Sequence, residues 1–207
     1  MSACRAPRRP VPRRRTTLPV MFAALAALSL TACGTGDKPK SGGGTQFVQG
    51  TGGVSVVKDR ADRQSAPGLD GKTLDGKQLD IAEDYKGKII VLNVWGSWCS
   101  PCRAEAKNLV KVSKDYQDKG VQFVGINSRD PNPAPALRFE KEYEVPYPSL
   151  HDSSGKLLLR FPKGSLNPQA LPSTLFIDRD GKIAARALKA LTEDELRKTL
   201  EPLVAEK

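Results

Sequence analysis

The chain has 207 residues, enough for one ordinary domain plus extensions. Its formal net charge is +10, but six of those charges are Arg5, Arg8, Arg9, Arg13, Arg14 and Arg15, all ahead of the first apolar run. That segment holds no acid, so the mature part keeps +10 less six, or +4, a dispersed excess that argues against a nucleic-acid partner.

Residues 1–15 form a basic leader, and residues 18–30 an apolar run. A bilayer span needs about 20 apolar residues, so this run reads as the core of a signal peptide. The following Leu30-Thr31-Ala32-Cys33 resembles a bacterial lipobox. That resemblance implies cleavage before Cys33 and a diacylglycerol on its sulfur, anchoring the mature chain on the extracytoplasmic face of the cell membrane. Plain secretion, with Cys33 a free thiol, is the competing reading. Arg14-Arg15 lacks a strong twin-arginine pattern behind it. Residues 34–53 are rich in Gly, Ser, Thr and Lys and cannot bury enough apolar surface to order themselves. The expected organisation is a signal peptide over 1–32, a lipid-anchored flexible tether over 33–53, and one domain over 54–207.

Within the domain, Asp70-Gly71 and Asp75-Gly76 are turn signals, and a β-hairpin extending the sheet edge is expected around Thr73 and Leu74. Residues 81–85 suit one helical turn. Residues 89–95 are apolar on both faces except for Asn93, as in a central strand covered on both sides. A helix is expected over 103–118, a strand over 121–126 after Lys119-Gly120, and a helix over 136–143, delayed by Pro131, Pro133 and Pro135. Residues 156–161 are apolar and of undecided type. Two strands, 173–178 and 182–188, flank the turn Arg179-Asp180-Gly181. Thr192-Glu193-Asp194-Glu195 resembles a capping box opening a helix to about residue 205, with Leu196, Leu200, Leu203 and Val204 inward. The strand–helix–strand order indicates an α/β fold with parallel pairing and right-handed crossovers. The sheet is mixed, with helices on both faces.

Four cysteines are present. Cys4 leaves with the leader and Cys33 is assigned to lipid, so Cys99 and Cys102 remain. Cys99 sits where a strand gives way to a helix, and Pro101 suits a first helical turn. A helix N-terminus offers free N–H groups and positive partial charge, both favouring a thiolate, the species that reacts in disulfide exchange. A zinc site would need four ligands, and beyond this pair the mature chain offers His151 as a soft ligand. Covalent haem attachment would need His after the second cysteine, where Arg103 stands. Redox chemistry is the reading that remains, with Cys99 the exposed attacking sulfur and Cys102 the buried resolving one.

The run Val91 to Trp95, the motif Trp98-Cys99-Ser100-Pro101-Cys102 and Glu105 together resemble the TlpA/ResA-like branch of the thioredoxin superfamily, membrane-anchored thiol–disulfide oxidoreductases. The likeness extends loosely over 66–204 and implies a thioredoxin-like fold with an N-terminal β-hairpin extension. It implies that Leu171-Pro172-Ser173-Thr174 carries a cis-proline beside the redox pair; a trans turn proline is the reading without it. The backbone at Leu171 would then face substrate. It implies that Glu105 accepts a proton from Cys102, against the plainer reading of a helix-dipole acid. Thioredoxin itself has a buried Asp where this chain has Asn93. Trp95 and Trp98 are read as packing residues, Trp98 also as a candidate rim of the site. His151 is expected in a surface loop and not as a ligand.

The activity so implied is thiol–disulfide exchange through Cys99 and Cys102, more as a reductant than an oxidant, in cytochrome c maturation or another envelope pathway. It requires no metal and no cofactor. Expected partners are proteins with disulfides or thiols, a membrane-bound thiol–disulfide electron donor, and the membrane through the lipid anchor. The chain is expected to be a monomer. Two alternatives stand beside it. A thioredoxin-fold copper chaperone would use cysteines three residues apart and a distal His, whereas the spacing here is two. A thiol peroxidase would need a cysteine in a Pro/Thr-rich setting, unlike Trp98-Cys99.

Overall fold

The computed structural model describes residues 46–50 and 53–206. The expected signal peptide, Cys33 and the tether up to residue 45 lie outside them.

Seven strands form one sheet in the order β1-β2-β9-β8-β5-β6-β7. They are β1 (Val48–Gln49), β2 (Val54–Val56), β5 (Ile89–Trp95), β6 (Val121–Ser128), β7 (Ser149–Asp152), β8 (Ser173–Ile177) and β9 (Ile183–Ala187). β5 pairs parallel with β6, and β6 with β7; β8 joins β5 antiparallel, and β9 follows β8 antiparallel. β1 falls inside the stretch read as tether, where Val48 pairs with Val56 and extends the sheet edge through β2.

The central strand β5 is buried at every position, and its side chains alternate between two cores. Ile89 and Val91 pack with Phe123, Phe176 and Ala185 under α2 (Ser100–Tyr116) and α4 (Glu193–Ala205), against Leu109, Val112, Leu196 and Leu200. Ile90, Leu92 and Val94 face the opposite core with Val124, Ile126, Leu175 and Ile177. That side is closed by Leu69 and Leu79 of the hairpin, Ile81 of α1 (Ile81–Asp84) and Leu158 in a 3-10 turn at Leu157–Arg160. Asn93 is in phase with Val91, so the one polar residue of the strand points under α2.

The hairpin is β3 (Asp70–Lys72) with β4 (Gln78–Asp80), a separate two-stranded sheet. It meets the main sheet through an isolated bridge between Thr73 and Leu150, and does not continue the edge as expected. Asp70-Gly71, read as a turn, lies within β3. The turn is made at Asp75-Gly76, where Gly76 takes φ 84° and Thr73 N–H donates to Lys77 O at 2.8 Å.

Two helices start earlier than expected, both through capping. Cys99 is the N-cap of α2, with proline in its first turn. Asn132 accepts from Ala134 N–H at 3.2 Å and opens α3 (Pro133–Tyr143), where Pro133 begins the helix instead of delaying it. β7 is absent from the sequence reading, and it corrects the placement of His151, which lies in that strand opposite Asn127. The capping box is present, with Thr192 and Glu195 bonded reciprocally. Among the described residues no helix is long and apolar enough to cross a membrane.

Candidate active site

β5 delivers the chain to the site. After Trp95 the turn Gly96–Trp98 leads to Cys99, which caps α2 from extended backbone, φ −85° and ψ 108°. Its Sγ accepts from Cys102 N–H at 3.3 Å, and the two sulfurs are joined as a disulfide. The first turn of α2 contains no acid, so no carboxylate of that turn competes with the sulfur for its free N–H groups and dipole. Cys99 is only 4% exposed and Cys102 2%, so the expected contrast between an exposed and a buried sulfur is not present in this oxidised state. Both pack with Trp95, Ala106 and Phe139, and partly buried Leu171 closes over them. The Leu171–Pro172 peptide bond is cis.

Glu105 lies one helical turn beyond Cys102, 1% exposed. Asn93 Nδ2 donates to its Oε1 at 2.9 Å and Leu191 N–H donates to its Oε2 at 2.9 Å. The Asn93 amide also donates to Thr174 Oγ1 at 3.1 Å, tying the carboxylate to β8 two residues beyond Pro172. Burial pushes Glu105 up from 4.5 to about 7; the Leu191 and Asn93 donors and the charge of Lys189 hold it back from rising further. A carboxyl balanced near neutrality can take or return a proton at working pH.

The turn before Cys99 is clamped from below. Buried Asp130, just beyond β6, accepts from Ser97 N–H at 2.9 Å, Ser97 Oγ at 2.6 Å and Asn127 Nδ2 at 2.7 Å. From outside, Arg103 donates twice to Ser97 O, at 3.2 and 2.7 Å. His151 Nε2 lies 3.0 Å from Asp130 O, so this histidine supports the clamp. Among the described residues no three His, Cys, Asp or Glu side chains gather as a metal site. Trp98 is 51% exposed, a rim residue by position. Trp95 is buried, and its indole N–H donates to Ser149 Oγ at 3.3 Å. That bond is accommodated by Gly125, where an added Cβ would fall 2.2 Å from Ser149 Oγ.

Sequence reasoning missed Ser97, Asp130, Thr174 and Leu191. An acid shortly after the apolar strand β6 is a findable signal for Asp130; nothing local marks Leu191, which acts through its backbone.

A family model described as Redoxin matches residues 57–201. The chain belongs to the redoxin family. It is 29% identical over 140 residues to the thiol-disulfide oxidoreductase ResA of Bacillus cereus, covering 68% of this chain and 77% of that one. It is 31% identical over 139 residues to the thioredoxin-like protein YneN of Bacillus subtilis, covering 67% and 78%. A secreted thiol-disulfide isomerase from Corynebacterium glutamicum superposes with a TM-score of 0.70 at 30% identity, over 80% of this chain and all of that one, 100%. The fold is thioredoxin-like, and this redoxin is a thiol–disulfide oxidoreductase acting on protein thiols and disulfides.

Proposed function

We propose that the chain is a lipid-anchored, extracytoplasmic reductant of envelope protein disulfides, cytochrome c maturation being one pathway that needs such chemistry. The observation that carries this reading is the buried Glu105 carboxyl one turn from Cys102, beside an Asn93 that cannot titrate. In the reduced enzyme, Cys99 thiolate attacks one sulfur of a substrate disulfide, and the other substrate sulfur leaves as thiolate. Cys102 then loses its proton to Glu105 and attacks Cys99 Sγ, releasing the second substrate thiolate. Two electrons pass from the enzyme dithiol to the substrate, and a membrane-bound thiol–disulfide donor restores the dithiol. Leu171, packed against the two cysteines, offers its backbone to an extended substrate strand.

The reducing direction is supported by the surroundings of Cys99. Strong oxidants stabilise their reduced form, and here Sγ accepts one backbone N–H with no Lys, Arg or His bonded to it among the described residues. Anchoring is supported by Leu30–Cys33 and the basic leader, and export by the secreted relative. The reduction potential of the Cys99/Cys102 couple is the test. A value near about −270 mV is expected, and one near about −120 mV would make the chain an oxidant.

A further inference from the structure

Two consecutive residues after β6 have opposite fates. Asp130 turns inward to hold Ser97, while Arg129 turns outward and lays its guanidinium over the Trp98 ring, 4.8 Å from the centroid. Arg129 takes φ 61°, an uncommon conformation for a residue with a side chain, fixed by Arg129 N–H donating to Asp152 O at 3.1 Å. Such conformations cluster at active sites and ligand clamps.

Neither Arg129 nor Arg103 has a carboxylate partner among the described residues. The acids nearest Arg129 in the chain are engaged elsewhere. Asp130 accepts from Ser97 and Asn127, and Asp152 accepts from Lys156 N–H and Leu157 N–H at 2.8 and 3.0 Å. Arg129 Nε is buried without a hydrogen-bond partner. Trp98, its stacking surface, is half exposed and immediately precedes Cys99. Its indole folds back over Gly96, where an added Cβ would fall 2.7 Å from Nε1. The rim of the reacting sulfur is therefore a flat aromatic surface carrying an unpaired, planar cation. A guanidinium stacked on an indole loses little freedom on binding a carboxylate, and its fork matches that group.

We propose that Arg129 and Trp98 form a recognition platform for a carboxylate that flanks the target cysteine of the partner protein, so that partners with Asp or Glu beside the reacting sulfur are preferred. This rests on exchange at Cys99; failure of that reading would appear as no reaction with any peptide. The platform would orient the incoming segment across Trp98 and toward Leu171, and it would select by charge while the sulfurs do the chemistry.

The test uses three cysteine peptides in disulfide form, identical except for Glu, Gln or Lys beside the cysteine. Second-order rates of their reduction by the reduced full-length protein and by Arg129→Gln are compared. A partly exposed pair of this kind is worth about 1 kcal/mol, so the Glu-to-Gln rate ratio should be about fivefold higher in the wild type than in Arg129→Gln. Differences in intrinsic peptide reactivity cancel in that ratio of ratios. Arg129→Lys should keep part of the preference, and added salt should erode it. An unchanged ratio in Arg129→Gln overturns the proposal. So does an equal slowing with all three peptides, which would place the action of Arg129 on Cys99. A preference confined to glutathione disulfide, absent with the Glu peptide, overturns the protein-segment assignment.

Discussion

The Asn93 amide donates to Glu105 Oε1 at 2.9 Å, joining the central strand to the helix that Cys99 caps and that carries Cys102. The same amide reaches Thr174, so one side chain couples the carboxyl to the strand that follows the cis-proline. Asn93 does not titrate, so Glu105 is the titratable partner in this pair and the group to which the proposed mechanism gives the Cys102 proton.

Glu105→Gln removes that group. The second exchange step should slow roughly tenfold, about 1.4 kcal/mol of barrier, and its pH profile should lose the inflection near about 7. Stopped-flow exchange with a model disulfide measures both. Stability should respond as well. Glu105 has its folded value raised from 4.5 to about 7, so between those values the folded state binds more protons than the unfolded one. Stability therefore falls as pH rises through that window, by on the order of 3 kcal/mol in total. In Glu105→Gln this part of the slope should vanish in denaturation curves taken across it. Gln fits the site if the Asn93 amide turns over, since Thr174 can then donate to it.

Cys102→Ser should trap a mixed disulfide through Cys99, because the N-cap sulfur has the helix N-terminus behind it and the proposed mechanism gives the resolving step to Cys102. Cys99→Ser should trap none. Non-reducing mass spectrometry after incubation with a cysteine peptide reads this directly, and an adduct that requires Cys102 would reverse the assignment.

β5 is legible in the sequence because seven apolar-biased residues leave a single choice, a strand buried on both faces. The pair Cys99/Cys102 and Glu105 are legible because a spacing of three puts residues on one helical face. β7 is hidden because Ser149, His151 and Asp152 carry no apolar run, and its order comes from pairing with β6. The partners of the site are hidden for a related reason. The bond from Asn93 to Thr174 spans 81 positions and that from Leu191 to Glu105 spans 86, separations that register and crossover decide. Nothing in the sequence separates the fates of the neighbours Arg129 and Asp130; in the fold Arg129 takes a positive φ and stacks on Trp98, while Asp130 is buried.

The export reading has its own measurement. The native protein should begin at Cys33, carry a diacylglycerol on that sulfur, and partition with membranes. Intact mass of the membrane fraction checks this, and retention of residues 1–32 or an unmodified Cys33 would remove the anchor from the account.

Asp130→Ala should damage the site without touching a sulfur. The carboxylate is 3% exposed and accepts three hydrogen bonds, two of them from Ser97 and one from Asn127. Removing the acceptor leaves the Ser97 N–H and the Asn127 amide without their partner in a buried turn, where each orphaned donor costs about 1–3 kcal/mol. A loss of at least about 2 kcal/mol is therefore expected in urea denaturation. Asp130→Asn keeps the volume and one acceptor oxygen, so it should lose less stability while still loosening the turn. The turn positions Cys99 through a single intervening residue, Trp98, with Arg103 still gripping Ser97 O from the outer side. In Asp130→Asn the attack rate of Cys99 on a neutral disulfide should fall by a few-fold, because a looser Ser97 turn presents the sulfur less firmly at the α2 N-terminus. A purely structural role would lower stability in both variants and leave the rate of the folded Asp130→Asn protein unchanged.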